Sequence, residues 1–128
     1  MDRFTMNGYE WRVCFVDPRD PMLVDRTGNL TVATTDPSTL TVYLSDDLEG
    51  GFLKRVLVHE LGHCALFSFD LLGDIHRMVM PSMWVEAEEW VCNFIADYGL
   101  RIFETASAVL GDNNLLRVVP REIERLVA

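Results

Sequence analysis

The stretch "VHELGHCALF", residues 58–67, places two histidines and a glutamate inside an otherwise apolar run. Apolar residues recur at positions 53, 56, 57, 61, 64 and 67, which is the spacing of a helix with a buried face. Buried polar side chains are almost always hydrogen-bonded, paired or bound to a metal. Three of them in one predicted core helix therefore indicate a binding site built into the centre of the fold.

The two histidines, His59 and His63, are four residues apart. On a helix this spacing puts both imidazole rings on one face, about one turn apart. Two nitrogens so placed can bind one zinc ion at about 2.0–2.1 Å each. Glu60 lies on the adjacent face, where it can accept a proton without binding the metal. The pattern is the HExxH zinc signature, in which the glutamate acts as general base.

A catalytic zinc site usually has three protein ligands and one open position, so a third ligand is needed. In metzincins this ligand is a histidine that follows the signature after a glycine, and those two positions here hold Phe69 and Leu66. That subclass is excluded. A glutamate on a second helix is the next option.

Three glutamates on the second predicted helix are candidates: Glu86, Glu88 and Glu89. At 100° per residue, Glu88 lies among the apolar residues of this helix and Glu89 lies on their margin. Glu86 lies on the polar side and is expected to be solvated. Burial favours Glu88, whereas an active-site cleft normally lies at the margin of a core. Periodicity therefore leaves Glu88 and Glu89 as alternatives.

The segment "HELGH" and the later "EEWVCNFIADYG" together resemble the ImmA/IrrE family of zinc metallopeptidases. In that family the third ligand begins a pattern that this chain matches at Glu89, Cys92, Asn93, Ile95 and Ala96. The resemblance implies a gluzincin-type site in which His59, His63 and Glu89 bind zinc. It also implies that Asn93 orients one of the ligands from the second shell.

The resemblance further implies a zinc-dependent metallopeptidase that makes a limited, specific cleavage in a protein partner. A helix-turn-helix repressor encoded by the same phage or mobile element is the expected kind of partner. Two alternatives stay open. One is a zincin-fold binding protein, an anti-repressor or an inhibitor of a host system, although an intact Glu60 favours an enzyme. The other is a non-proteolytic zinc amidohydrolase; a peptide deformylase is disfavoured because the surroundings of Cys14 do not match its cysteine segment.

The expected fold is α+β, a minimal zincin-like domain over residues 1–128. Alternation at residues 9–17 and β-branched runs at 30–35 and 39–45 predict a small antiparallel sheet of about three strands, with a hairpin at "DPS". This sheet should pack on the metal-binding helix. A loop over 70–82, a second long helix carrying the third ligand and a short C-terminal helix complete the prediction.

Three further residues are candidates for contacts with substrate. His76, in the loop predicted over 70–82, is a candidate donor to the oxyanion of a tetrahedral intermediate. In zinc peptidases of this architecture the last strand before the metal-binding helix is an edge, to which an extended peptide adds. Thr41 and Tyr43 alternate with apolar residues in that strand, so they are candidate substrate-binding residues.

Composition limits the class of protein. The formal charge is −9, from 20 acidic and 11 basic residues, which disfavours direct binding to nucleic acid. No apolar run reaches the roughly 18 residues of a membrane span, and the N-terminus does not resemble a secretory signal. The three cysteines form no CxxC pair, which favours a reducing compartment. We therefore expect a cytoplasmic protein with no membrane partner.

The purified protein is expected to hold about one zinc ion per chain, because three protein ligands and a water complete a tetrahedral site. His59→Ala and His63→Ala should each lose the metal, as measured by elemental analysis of the purified variants. Chelation should also lower the melting temperature of the wild type, because metal binding stabilises the folded state. Full zinc content in both variants would rule out this site.

Overall fold

The computed structural model describes residues 2–111 and contains a four-stranded sheet in the order β1-β2-β4-β3. The strands are β1 (Arg3–Met6), β2 (Tyr9–Val16), β3 (Ala33–Asp36) and β4 (Thr41–Ser45). β1 is antiparallel to β2 and β3 is antiparallel to β4, whereas β2 and β4 are parallel. The α+β class is confirmed. The prediction of a three-stranded, fully antiparallel sheet is wrong.

The strand that sequence analysis missed is β1, although its signal is present. Asn7 and Gly8 separate β1 from β2 and have φ angles of 48° and 82°. Asn-Gly with positive φ at both residues is the preferred two-residue turn of a β-hairpin. The pair Met6 and Tyr9 closes the ladder at this turn. The Asn7–Gly8 turn therefore favours a hairpin between β1 and β2.

The parallel pairing follows from the long connection over residues 17–32, which carries the chain past the position of β4 to the far edge of the sheet. The predicted β3–β4 hairpin then returns the chain between β2 and β3. β4 is consequently an interior strand, and the prediction that it forms an open edge is wrong. β3 occupies that edge instead.

Residues 50–94 contain three α-helices: α1 (Gly50–Ser68), α2 (Leu72–Met78) and α3 (Trp84–Phe94). α1 agrees with the predicted metal-binding helix. A loop was predicted where the structure has α2. The sequence does not reveal this helix, because a seven-residue helix with a single buried residue, Ile75, shows no apolar period. Ile75 packs in a cluster with Leu66 of α1 and Cys92 of α3, so tertiary contacts stabilise α2.

The main core lies between the sheet and α1. It comprises the buried residues Trp11, Ala33, Val42, Leu44, Val56 and Cys64. Trp11 is fully buried, packs edge-on against Phe67, and donates from its indole nitrogen to the Ser68 hydroxyl at 2.9 Å. Replacing a buried tryptophan of this kind with alanine typically costs about 3–5 kcal/mol. This core fixes the orientation of α1 on the sheet.

α1 and α3 pack closely at Gly62, the glycine of "HELGH". A Cβ atom added there would lie 3.1 Å from Cys92 Sγ and 3.4 Å from Cys92 Cα. Glycine therefore allows the backbone of α3 to reach α1 at this level. Because Gly62 directly precedes His63, the contact sets the distance between the histidines and the glutamates of α3.

The chain divides into two compact units, residues 1–97 and 98–128, and the sheet with α1–α3 belongs to the first. In the described part of the second, α4 runs from Leu100 to Leu110 and ends at Gly111 in the left-handed conformation. The long second helix was predicted as one element, and a π-helical segment, Ile95–Gly99, lies between α3 and α4. The predicted C-terminal helix lies outside the described residues, and the single domain over 1–128 stays a prediction.

Within residues 2–111, no single helix has the length and apolar character needed to cross a membrane. α1 and α2 meet those criteria only as a pair, and they are bent by 90° where they meet.

Gly62→Ala is expected to lower the melting temperature. Alanine is favoured over glycine in a helix by about 1 kcal/mol, but overpacking typically costs about 1–3 kcal/mol, and the contact with the Cys92 backbone limits relaxation. Gly73→Ala in α2 is the matched control. Its added Cβ would meet only the end of the Arg77 side chain at 3.5 Å, so it should be neutral or stabilising.

A Cys92→Ala background removes the shortest of these contacts, so the penalty of Gly62→Ala should shrink in the double variant. Thermal unfolding of the four proteins in this cycle measures the coupling. A Gly62→Ala protein as stable as the Gly73→Ala control would contradict the proposed close packing.

Candidate metal centre

One turn of α1 brings together His59, Glu60 and His63. Their ligand atoms all lie within 4.8 Å of one another, and the two histidine Nε2 atoms are 3.2 Å apart. The rings meet at a steep angle of 71°, so that both Nε2 atoms point toward the same space. The His–Glu–His group could hold a metal ion, in agreement with the spacing in the sequence.

α3 adds the carboxylate of Glu89 to this group. Its Oε2 lies 3.0 Å from His59 Nε2, and its Oε1 lies 3.2 Å from His63 Nε2. The Glu89 side chain is 41% exposed and lines the cleft next to the histidines. Three side chains from two helices therefore converge on one point at the surface of the core.

Glu88 approaches His63 from the other side of its ring. Its Oε2 lies 2.5 Å from His63 Nδ1, and the residue is buried. Such a carboxylate fixes the ring orientation and makes the opposite nitrogen a better ligand. The helical period left Glu88 and Glu89 as alternative third ligands. In the structure both contact His63, but of the two only Glu89 faces the Nε2 atoms of both histidines. By contrast, His59 Nδ1 is a buried atom with no hydrogen-bond partner among the described residues.

The group is electrostatically suited to a cation. Hydrogen bonds from His59 and His63 lower the pKa of Glu89 well below its ordinary value. Burial alone would raise the pKa of Glu88, but hydrogen bonds from His63 and Arg26 more than offset this and lower it. Burial alone would lower the pKa of His63, but hydrogen bonds with Cys92 and the two carboxylates raise it to about 12. The lowered pKa values keep both carboxylates in the anionic form, which attracts a cation.

Glu60 is buried beside the histidines, with 6% of its surface exposed. The Thr35 hydroxyl donates to its Oε1 at 2.8 Å, while Oε2 is 3.7 Å from His59 Nε2. Burial raises the pKa of Glu60, against the influence of His63 and Thr35. Sequence analysis missed Thr35, because nothing local in a strand identifies a partner 25 residues away. The hydrogen bond from Thr35 fixes Oε1 of Glu60 and leaves Oε2 near the Nε2 atom of His59.

The cleft beside this group is formed by residues of the 17–32 connection, β3, α1 and α3. The Ser45 amide donates to the Val32 carbonyl. Because facing residues of antiparallel strands alternate between bonded and non-bonded pairs, Ala33 and Thr35 direct their backbone groups away from β4. Within residues 2–111, the cleft therefore has an unpaired strand edge along one wall.

The structure does not bring every predicted residue to this cleft. Thr41 is fully buried in the interior strand β4, so it is not exposed to a substrate, whereas Tyr43 does line the cleft. His76 belongs to α2, where its ring stacks on Trp84 at 4.1 Å, and it is not among the residues that line the cleft. Its predicted oxyanion role has no geometric support.

Within the described part of the chain, Asn93 makes no hydrogen bond to either histidine. Its Oδ1 instead accepts from Arg55 Nη2 at 3.4 Å, one helical turn away from the His59–Glu89 contact. The resemblance implied that Asn93 orients one of the ligands, whereas in the structure it is Glu88 that contacts a histidine of the group, at His63 Nδ1.

The second residue that sequence analysis missed is Arg26, in the connection between β2 and β3. Its guanidinium donates to Glu88 Oε1 at 3.1 Å and to Glu89 Oε1 at 3.4 Å. An arginine in a polar loop gives no sequence signal for a role in this site, because its partners are more than 60 residues away.

Comparison of the chain with known protein families, with curated proteins and with solved structures finds no match. The geometry of the site and the motif in α1 are therefore the basis for any functional proposal.

Three conservative substitutions on α3 rank the glutamates. Glu89→Gln should weaken metal binding the most, because it alters the carboxylate that faces both Nε2 atoms. Glu88→Gln should weaken it by about 10–100-fold, the usual effect of losing an outer-shell partner. Glu86→Gln is the exposed control and should leave affinity unchanged. Competition with a chromophoric chelator measures all three, and a larger loss for Glu88→Gln than for Glu89→Gln would reverse the assignment.

Proposed function

We propose that the protein is a zinc-dependent metallopeptidase that makes a limited, specific cleavage in a protein partner. The observation that carries this proposal is the convergence of two imidazoles and the Glu89 carboxylate beside the buried Glu60. The HExxH motif and the resemblance to ImmA/IrrE metallopeptidases support the same chemistry. Together they support a gluzincin-type site with His59, His63 and Glu89 as the ligands.

Zinc is the metal that this donor set favours, since imidazole and carboxylate are common zinc ligands. With metal–ligand bonds of about 2.0–2.1 Å, the corners of a tetrahedron lie roughly 3.3–3.4 Å apart. His59 Nε2 lies 3.2 Å from His63 Nε2 and 3.0 Å from Glu89 Oε2, while the other Glu89 oxygen, Oε1, lies 3.2 Å from His63 Nε2. These separations are close to those between neighbouring ligands of one ion, with each Glu89 oxygen facing one imidazole. Glu88 supplies the supporting carboxylate expected behind a zinc-binding histidine.

When bound, zinc supplies Lewis-acid polarisation of a carbonyl and lowers the pKa of water toward about 7. Glu60 accepts the proton of the attacking water as its oxygen bonds to the carbonyl carbon. Glu60 then returns that proton to the leaving nitrogen as the carbon–nitrogen bond breaks. Thr35 holds Glu60 in position through the hydrogen bond to Oε1.

The substrate is an extended segment of a protein that pairs with the edge of β3 that no other described strand covers. Backbone hydrogen bonds from Ala33 and Thr35 place its scissile carbonyl beside the histidines. This assignment transfers the substrate-binding role predicted for β4 to its neighbour. A specific partner such as a helix-turn-helix repressor, encoded by the same phage or mobile element, is the kind of partner that the resemblance to ImmA/IrrE metallopeptidases implies. The free cysteines Cys14, Cys64 and Cys92 suit a cytoplasmic protein.

The alternative is a binding protein that uses the same fold without cleavage. A binder has no use for a general base, and burying an unneeded carboxylate is costly. Glu60 is both buried and held by Thr35, which favours the enzyme. An amidohydrolase that acts on small molecules is disfavoured by the open strand edge along the cleft, which suits an extended chain.

Glu60→Gln is expected to fold, to keep its zinc and to bind the partner, while cleavage slows by about 10²–10⁴-fold. Glutamine preserves size and hydrogen bonding but cannot accept the proton. The assay is co-expression with candidate repressors from the same genetic neighbourhood, in which loss of the intact partner is followed over time. The inactive variant also serves as a trap for co-purifying the substrate.

Glu86→Gln is the matched control for this assay, because it makes the same change on the exposed face of α3. It should cleave like the wild type. Equal biological effects of the wild type and Glu60→Gln would exclude proteolysis as the function and favour the binding protein.

A further inference from the structure

The two adjacent glutamates of α3 have an unusual arrangement. Neighbouring residues on a helix diverge by about 100°, and two carboxylates repel each other. Yet Glu88 and Glu89 both reach the ring of His63, at Nδ1 and at Nε2 respectively. Glu89 is also partly exposed, so solvent competes for its carboxylate. A further interaction is needed to hold both side chains against one imidazole.

Arg26 makes that interaction. Its two terminal nitrogens reach Oε1 of Glu88 and Oε1 of Glu89. The other oxygen of each carboxylate lies against a histidine, Glu88 Oε2 on His63 and Glu89 Oε2 on His59. One planar guanidinium thus bridges two carboxylates, at Glu88 Oε1 and at the Glu89 Oε1 that also lies 3.2 Å from His63 Nε2, a geometry that a single ammonium group does not reproduce.

The turn that carries Arg26 is held on both sides of the residue. The Asp25 carboxylate accepts hydrogen bonds from the Thr27 amide, the Thr27 hydroxyl and the Asn29 amide, at 2.9, 2.6 and 3.1 Å. The Asp25 amide donates to the Asn29 carbonyl at 2.8 Å, which closes the turn. Leu23, just before the turn, is fully buried. The guanidinium is therefore presented by an ordered segment.

We propose that Arg26 is a positioning residue for the metal centre, which fixes Glu89 as the third ligand and Glu88 behind His63. This proposal rests on the proposed function, since it concerns how a metal ligand is held. Two effects of Arg26 oppose each other. Its positive charge disfavours a nearby metal cation, whereas its hydrogen bonds orient the carboxylates that bind one. Positioning is the larger effect, because an unrestrained Glu89 is free to turn into solvent.

The test is titration of the metal-free protein with cobalt(II), whose visible absorption reports affinity and coordination geometry together. Arg26→Ala should bind cobalt about 10–100-fold more weakly than the wild type, with an altered absorption band at saturation. Arg26→Lys retains the charge without the bridge, so it should lie between the two. Arg19→Ala removes the same charge from an exposed site in the same connection and should match the wild type.

Unchanged or tighter cobalt binding by Arg26→Ala, with the absorption band of the wild type, would overturn the proposal and leave the proposed function standing. A merely structural role for Arg26 predicts a lower melting temperature with the band of the wild type, which also overturns it. Arg26→Lys provides the comparison if Arg26→Ala does not fold. Absence of cobalt binding by the wild type would overturn the metal centre itself, and the role of Arg26 with it.

Discussion

The close approach of α3 to α1 at Gly62 is the constraint on which the rest of the site depends. A glycine at this position lets Cys92 lie directly against the turn of α1 that carries the two histidines. The glutamates of α3 precede Cys92 by about one helical turn and therefore lie at the level of the imidazoles. Side chains on the two separate helices meet in one group only because the two backbones are this close. Gly62 therefore has a packing role in addition to its position in the HExxH motif.

The buried polar groups at the contact between α1 and α3 lower the stability of the folded protein. Glu60, His63 and Glu88 are all buried, and moving ionised groups out of water costs several kcal/mol each unless they are paired. Each has a partner, either across the helix contact or on the sheet, and the network extends to the surface at Arg26. Apolar residues would fill this space at lower cost. Clusters of paired, buried, titratable groups beside a cleft are typical of functional sites.

The connection over residues 17–32 determines two properties of the cleft. It carries the chain to the far side of the sheet, so that β4 lies inside and β3 is the edge strand of the described sheet beside the histidines. It also carries Arg26 to the glutamates of α3. A β2–β4 sheet joined by a short turn would have neither feature. The irregular segment that sequence analysis treated as a loop thus forms much of the site.

The sequence by itself determined the elements whose signals are local. The helical period around His59 and His63, the β3–β4 hairpin and the absence of a cysteine pair are all readable from spacing and composition. The Asn7–Gly8 turn was equally readable and was overlooked. Tertiary structure alone decided what depends on distant parts of the chain: the interior place of β4, the helix at Ile75, the contact of Thr35 with Glu60, and the different partners of Glu88 and Glu89. A helical period shows which residues share a face, but which groups meet across two helices is set by how closely and at what level those helices pack.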